Sequence, residues 1–225
     1  MYAVTRKPVK NPLIVILLLV TPIGLALELG NQLLDYAESK FGTTAKSRLL
    51  QWQELANSTP DSNELETLKK VNAFFNKARF VSDIKQWGRE DYWATPVEML
   101  ITNAGDCEDY SIAKYFTLKE IGIADEKLRI TYVKALELNQ AHMILAYYAT
   151  PTSDPLILDN LIDSIQPASK RPDLAPVYSF NGEGLWLSRL RGQGKRIGDA
   201  SKLDRWVDVN KRLLNDISSG QNRPL

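Results

Sequence analysis

The sequence predicts an α+β fold in which N-terminal helices pack on an antiparallel sheet. Apolar residues at helical spacing precede residue 80, another helix follows the only cysteine, and two apolar runs joined by a polar turn come next. Helical segments followed by strands, without regular alternation, are typical of α+β domains. A chain of this length buries one core and hardly two, so we expect a single domain over 27–217.

Three helices are expected before residue 80. The second runs from Ala45 to Ala56, and the third follows a start signal at Pro60-Asp61-Ser62. We interpret their apolar stripes as core-packing faces. The stripe of the first helix consists of Leu29, Leu33, Leu34, Ala37 and Phe41, and that of the third consists of Leu65, Leu68, Val71, Phe75 and Ala78.

The only cysteine lies in the run Gly105-Asp106-Cys107-Glu108-Asp109-Tyr110. A single thiol is inert packing, half of an intermolecular bridge or a reactive group, and its polar neighbours favour the last. Apolar residues at helical spacing follow as far as Gly122, so Cys107 lies in the first turn of a predicted helix. Unpaired N–H groups there favour the thiolate and supply an oxyanion donor.

Asp106, Glu108 and Asp109 oppose this activation, because nearby anions raise the pKa of a thiol. Acids in the first turn of a helix commonly cap it and pair with basic side chains. Alternatively, three carboxylates hold a hard cation such as calcium, which prefers oxygen ligands. The spacing alone leaves both interpretations open.

His142, the only histidine, lies in the apolar run 140–148, which is predicted as a strand. A second apolar run, 156–161, follows a polar turn, so the two form a hairpin. Antiparallel pairing carries Asp159 back toward His142, where an acid could orient the imidazole. Cys107, His142 and Asp159 are therefore candidates for a Cys–His–Asp triad. The alternative is a satisfied core histidine and an acid that ends a strand.

Several segments between about Glu64 and Trp186 carry a resemblance to a known family. They are 91–98 (DYWATPVE), 105–110 (GDCEDY), 141–143 (AHM), 158–161 (LDNL) and 176–181 (PVYSFN). Together they resemble the bacterial transglutaminase-like cysteine proteinases, of which the LapG-type periplasmic proteases are a branch.

The resemblance implies a papain- and transglutaminase-like α+β core in which Cys107 is the nucleophile. His142 would be the general acid and base, and Asp159 the residue that orients it. The same triad would also serve transglutamination or deamidation. A non-enzymatic alternative is a catalytically idle module that binds peptides.

Proteases of the LapG-type branch are calcium-dependent, and the acids around their cysteine supply ligands that correspond to Asp106, Glu108 and Asp109. Their substrate is the N-terminal region of a very large surface adhesin, which they cleave so that the biofilm cell detaches. An inner-membrane receptor for cyclic di-GMP sequesters the protease. The resemblance implies a calcium cofactor, an adhesin substrate and this receptor as partner.

Residues 1–26 are predicted to be a signal peptide, since basic residues precede an apolar run and a small-x-small end. An uncleaved anchor is the alternative; either would place the domain outside the cytoplasm, in the periplasm. Cleavage after Ala26 would remove three basic and no acidic residues, so that 28 basic against 27 acidic residues become 25 against 27, a net charge of −2. No nucleic-acid partner is expected.

After the hairpin, 170–176 is predicted as a loop and 178–186 as short edge strands. An amphipathic helix that packs on the core and a flexible tail, 218–225, are expected to end the chain. An indole N–H of Trp87 or Trp93 is a possible second oxyanion donor, but both are interpreted as core aromatics. The apolar residues of the last helix are Leu203, Trp206, Val207, Leu213 and Leu214.

Overall fold

Three helices open the part of the chain that the structure describes. The computed structural model describes residues 26–61, 63–187 and 194–219. Helix α1 spans Asn31–Phe41, α2 spans Thr43–Ala56 and α3 spans Glu64–Phe75, so all three predicted helices are confirmed. Leu29 is buried but precedes α1, and Phe41 is 38% exposed, so the predicted stripe of α1 is too long at both ends.

Short elements connect these helices to the cysteine. They are β1 (Arg79–Phe80), α4 (Asp83–Gln86), α5 (Pro96–Thr102) and β2 (Ala104–Gly105), with β1 and β2 paired in parallel. Helix α6 follows at Cys107–Ile121 and ends at Gly122, whose φ of 107° suits a glycine. The predicted helix, with Cys107 in its first turn, is confirmed.

Seven strands form an antiparallel sheet in the order β6-β5-β4-β3-β7-β8-β9. The predicted α+β class is therefore confirmed. The strands are β3 (Leu128–Ala135), β4 (Gln140–Tyr147), β5 (Leu156–Leu158), β6 (Gln166–Pro167), β7 (Leu174–Phe180), β8 (Leu185–Leu187) and β9 (Lys195–Gly198).

The sheet confirms the predicted hairpin but differs from the predictions for the segments on either side of it. Strands β4 and β5 pair with Leu145 opposite Leu158. The central strand β3 was not predicted, and β7 begins at Leu174, inside the predicted loop. β7 pairs with both β3 and β8, so it is not an edge strand. A bulge opposite Tyr132 and Val133 accommodates Pro176, which has no N–H for regular pairing.

Helix α6 is central to the helical layer, because it packs on β3 and β4 while α2, α3 and α5 pack on it. Trp52 of α2 donates from Nε1 to the hydroxyl of Thr117 on α6, at 2.7 Å. This buried hydrogen bond satisfies an indole N–H that would otherwise be costly to bury. Helix α6 as a whole is thus anchored in the core of the domain.

The last helix, α7, spans Asp204–Ser219 and packs on the core as predicted. Its buried face differs from the prediction, because Val207 and Leu214 are 47% and 67% exposed while Val209 is buried. Among the described residues, no helix has the length and apolar character needed to cross a membrane. The predicted signal peptide falls almost wholly on residues 1–25, and most of the tail on 220–225; both lie outside the described residues.

Candidate active site

Cys107 is the first residue of α6 and is partly buried. Asp109 Oδ2 accepts a hydrogen bond from the N–H of Asp106, at 3.1 Å, which closes the first turn. The chain reaches this turn through Gly105, where a Cβ would lie 2.8 Å from the Cβ of Asp109. Only glycine fits without a shift, which gives a physical reason for the Gly-Asp-Cys run.

His142 and Asp159 meet at the end of the β4–β5 hairpin. Extension of the β4–β5 register places Asp159 opposite Ile144, two residues from His142. The His142 ring spans this offset, and its Nε2 lies 2.8 Å from Asp159 Oδ1. Both side chains are buried, with exposures of 3% and 2%. The structure therefore brings this predicted pair into direct contact.

Asp159 is held in its ionised form. Burial alone would raise its pKa, but the contacts with His142, the N–H of Leu161 and Arg171 lower the pKa to about 2. An ionised carboxylate only accepts hydrogen bonds, so Nε2 of His142 carries the hydrogen of this pair. The other ring nitrogen, Nδ1, is thereby left to exchange a proton with another group.

The thiol of Cys107 lies against the strand that carries His142. The N–H of Met143 donates to the sulfur, and the thiol donates to Glu108 Oε2 at 3.0 Å. Burial, followed by the charge and hydrogen bond of Glu108 and the charge of Asp106, raises the pKa of Cys107. The conflict between thiol and acids that the sequence indicates is therefore present in the structure.

Cys107 and His142 line one open cleft of about 380 Å³. The lining of the cleft is partly aromatic: it includes Tyr132 and Tyr178, whose rings stack at 5.1 Å between centroids, and Trp93. Such a cleft is large enough for several residues of an extended peptide. It gives a substrate access to both the sulfur and the imidazole.

The predicted acids form part of a larger carboxylate cluster. Asp83, Asp106 and Asp109 each place an oxygen within 4.8 Å of the others, and Glu108 is grouped in the same way with Asp106 and the sulfur of Cys107. Asp83 begins α4 and was not among the predicted ligands. Nothing in its local sequence distinguishes it from an ordinary helix-capping residue.

The donor set fits a hard divalent cation such as calcium. Asp83 Oδ1 and Asp106 Oδ1 are buried without a hydrogen-bond partner among the described residues. Burial and neighbouring carboxylates raise the pKa of Asp83 to about 7 and that of Asp106 to about 8. Burial likewise raises the pKa of Asp109. A cation would satisfy both unpaired oxygens and offset the mutual repulsion of these acids.

Comparison with known proteins decides the family. The bacterial transglutaminase-like cysteine proteinase (BTLCP) family matches residues 41–174. The chain belongs to this family and is a cysteine protease. A comparison with curated proteins found no match.

Solved structures of LapG from Legionella pneumophila are similar to this BTLCP chain over most of its length. The EGTA-treated form is 43% identical, covers 84% of this chain and 100% of its own, and has a TM-score of 0.71. The calcium-bound form is 44% identical, covers 81% and 97%, and has a TM-score of 0.68. Calcium is therefore a ligand of a close structural relative.

Trp87 and Trp93, the two tryptophans nearest before the cysteine, differ in position. Trp93 lines the cleft and donates from Nε1 to Asp91 at 3.1 Å. Trp87 Nε1 is buried with no partner among the described residues, and Trp87 does not line the cleft. Trp93 is part of the buried core, as interpreted from the sequence, whereas Trp87 is only partly buried and does not belong to the core.

Proposed function

We propose that the protein hydrolyses peptide bonds through a Cys107–His142–Asp159 triad. The observation that carries this proposal is the buried contact between His142 and Asp159 beside a cleft that exposes Cys107. Cys107 transfers its proton to Nδ1 of His142 and attacks the scissile carbonyl. His142 then protonates the leaving amine, and water hydrolyses the thioester with His142 as base.

The oxyanion is stabilised by the start of α6. The N–H of Cys107 belongs to the first turn, whose N–H groups have no acceptor within the helix. These groups and the helix dipole face the developing negative charge. The nucleophile and its oxyanion donor therefore come from the same turn.

Asp106, Glu108 and Asp109, together with Asp83, are proposed to hold calcium. A bound calcium ion would supply positive charge beside the start of α6. The unpaired oxygens of Asp83 and Asp106 and the similarity to a calcium-bound LapG support this assignment. With its acids engaged in this way, the cluster would no longer oppose ionisation of the Cys107 thiol.

The proposed substrate is the N-terminal region of a large surface adhesin, cleaved in the periplasm so that a biofilm cell detaches. An inner-membrane receptor for cyclic di-GMP is the proposed partner that sequesters the protease. The similarity to LapG and the signal-peptide pattern of residues 1–26 support this assignment. An open cleft, rather than a closed pocket, suits a segment of a long chain.

The substrate proposal is tested with purified fragments of candidate adhesins. The protein lacking residues 1–26, supplied with calcium, is incubated with N-terminal fragments and with matched fragments from the repeat region of the same adhesin. Mass spectrometry should show one internal cut in the N-terminal fragment and none in the repeats. Cutting of both at equal rates, or of neither, would reject the adhesin assignment.

Replacement of the two other triad residues should have unequal effects. We expect His142→Ala to lower kcat about as much as loss of the nucleophile, whereas Asp159→Asn lowers it less, because the orienting residue of a triad is often the least severe loss. Steady-state kinetics on the cleaved fragment measure this. Wild-type kcat for His142→Ala would remove its assigned role.

A further inference from the structure

Arg171 is a buried cation next to the proposed triad. Its role was not evident from the sequence. It follows a 3₁₀ turn, Ala168–Lys170, in a segment predicted to be an ordinary loop, yet it is only 4% exposed. Its Nη2 donates to Asp159 Oδ2 at 2.8 Å. A charge is seldom buried unless it is paired, so the location of this side chain requires a reason.

The two carboxylate oxygens of Asp159 have separate partners. Oδ1 faces Nε2 of His142 and also accepts a hydrogen bond from the N–H of Leu161 at 3.1 Å. Oδ2 accepts a hydrogen bond from Nη2 of Arg171. Rotation of the carboxylate would break both its contact with His142 and its hydrogen bond from Arg171. Arg171 therefore fixes the plane in which Asp159 meets the imidazole.

The guanidinium of Arg171 is itself anchored. Its Nε and Nη2 donate to Asp173, at 3.0 Å and 2.8 Å from the nearer oxygens. This paired geometry uses the planar fork of arginine, which the point charge of a lysine cannot reproduce. The chain of contacts runs from Asp173 through Arg171 and Asp159 to His142.

The main chain at Asp159 is held by other groups. Its carbonyl accepts from Lys114 Nζ at 3.2 Å and from Asn76 Nδ2 at 2.9 Å. The end of β5 is thus tethered without Arg171. A buried ion pair contributes little net stability compared with apolar packing, so stability alone does not account for the arginine.

We propose that Arg171 is a positioning residue for hydrolysis: it orients the Asp159 carboxylate so that His142 keeps the hydrogen on Nε2 and presents Nδ1 to Cys107. The inference rests on the proposed triad. It differs from that proposal because its effect is visible on His142 in the resting protein, without substrate.

The single histidine makes the test direct. Nitrogen-15 signals of untagged protein report the tautomer of His142 alone, and wild type should show the Nε2–H form when the ring is neutral. Arg171→Met should shift these signals toward a mixture of tautomers. It should also lower kcat about 10- to 100-fold, by analogy with the loss of a group that orients a metal-bound histidine, with KM little changed. The histidine signals and the kcat of Arg171→Lys should lie between those of wild type and those of Arg171→Met.

Arg196→Met is the matched control, because it removes an exposed arginine paired with Asp199. It should leave the His142 signals and kcat unchanged. If Arg171→Met does not fold, Asp173→Asn loosens the guanidinium while keeping its charge and should shift the signals in the same direction.

Folded Arg171→Met, or Asp173→Asn in its place, with wild-type His142 signals and kcat would overturn the inference. The outcome is separable from the substrate proposal. If wild type cleaves no adhesin fragment, the tautomer measurement still decides the role of Arg171.

Discussion

Replacing Cys107 with alanine is expected to abolish cleavage and to leave a folded protein that still binds its substrate. The change removes the only thiol of the chain and little volume, while the helix start, His142 and Asp159 remain. Without a nucleophile no thioester forms, so kcat falls to the background of the assay. Steady-state kinetics measure the loss, and fluorescence anisotropy of a labelled fragment measures binding.

Ser111→Ala serves as the control for this experiment. Ser111 lies one turn further along α6 and donates to the carbonyl of Cys107 at 3.0 Å, so the change removes a small side chain from the same helix without removing the thiol. We expect this variant to retain turnover. Cleavage by Cys107→Ala at the wild-type rate would contradict the assignment of the nucleophile.

We expect removal of calcium to abolish activity and its return to restore activity. The carboxylates of Asp83, Asp106 and Asp109 repel one another and the thiolate unless positive charge offsets them. Magnesium should restore turnover poorly, because it demands strict octahedral geometry. Asp106→Ala and Asp83→Asn should both resemble the chelated enzyme, whereas Asp199→Asn, at an exposed ion pair, should not.

Calcium binding should also change the dependence of stability on pH. The pKa values of Asp83 and Asp106, about 7 and about 8, exceed those of an unfolded chain. Between the unfolded pKa of 3.8 and these raised values, the metal-stripped folded protein binds more protons than the unfolded chain, so its stability falls as the pH rises from about 4 to about 8 and levels off above that. Calcium would displace these protons, so its affinity and its effect on Tm should increase over the same pH range.

Calorimetry and thermal denaturation of the metal-stripped protein measure these effects. We expect a heat of calcium binding that Asp106→Ala removes, and a rise in Tm on addition of calcium. An absence of binding heat, together with normal cleavage by the chelated enzyme, would show that the acids only cap helices.

The parts of the site that the sequence predicted depend on local signals. The Gly105 turn, the acids of the first helical turn and Gly122 mark α6, and the polar turn after residue 148 marks the β4–β5 hairpin. Such signals act within a few residues, so periodicity and turn chemistry reveal them. The neighbourhood of Asp159 followed from the hairpin, although its hydrogen bond to His142 required the three-dimensional register.

The parts that the sequence did not reveal depend on contacts between distant segments. Asp83 reaches the acid cluster only because β1 pairs with β2, and Arg171 reaches Asp159 only because β6 returns to β5. Strand β3 alternates polar and apolar residues in part, but its central position depends on β7, and the Pro176 of β7 is unfavourable in a regular strand. Local pattern carries no information on these pairings.

Hydrolysis in water enriched in heavy oxygen tests the central claim most directly. A triad that cleaves through a Cys107 thioester should place one heavy oxygen atom in the new C-terminal carboxylate of the product, and only in the presence of Cys107 and His142. Mass spectrometry of the two fragments detects it. Products joined through a new amide, glutamines converted to glutamates in an uncut chain, or labelled cleavage by Cys107→Ala would contradict a cysteine protease that acts through this triad.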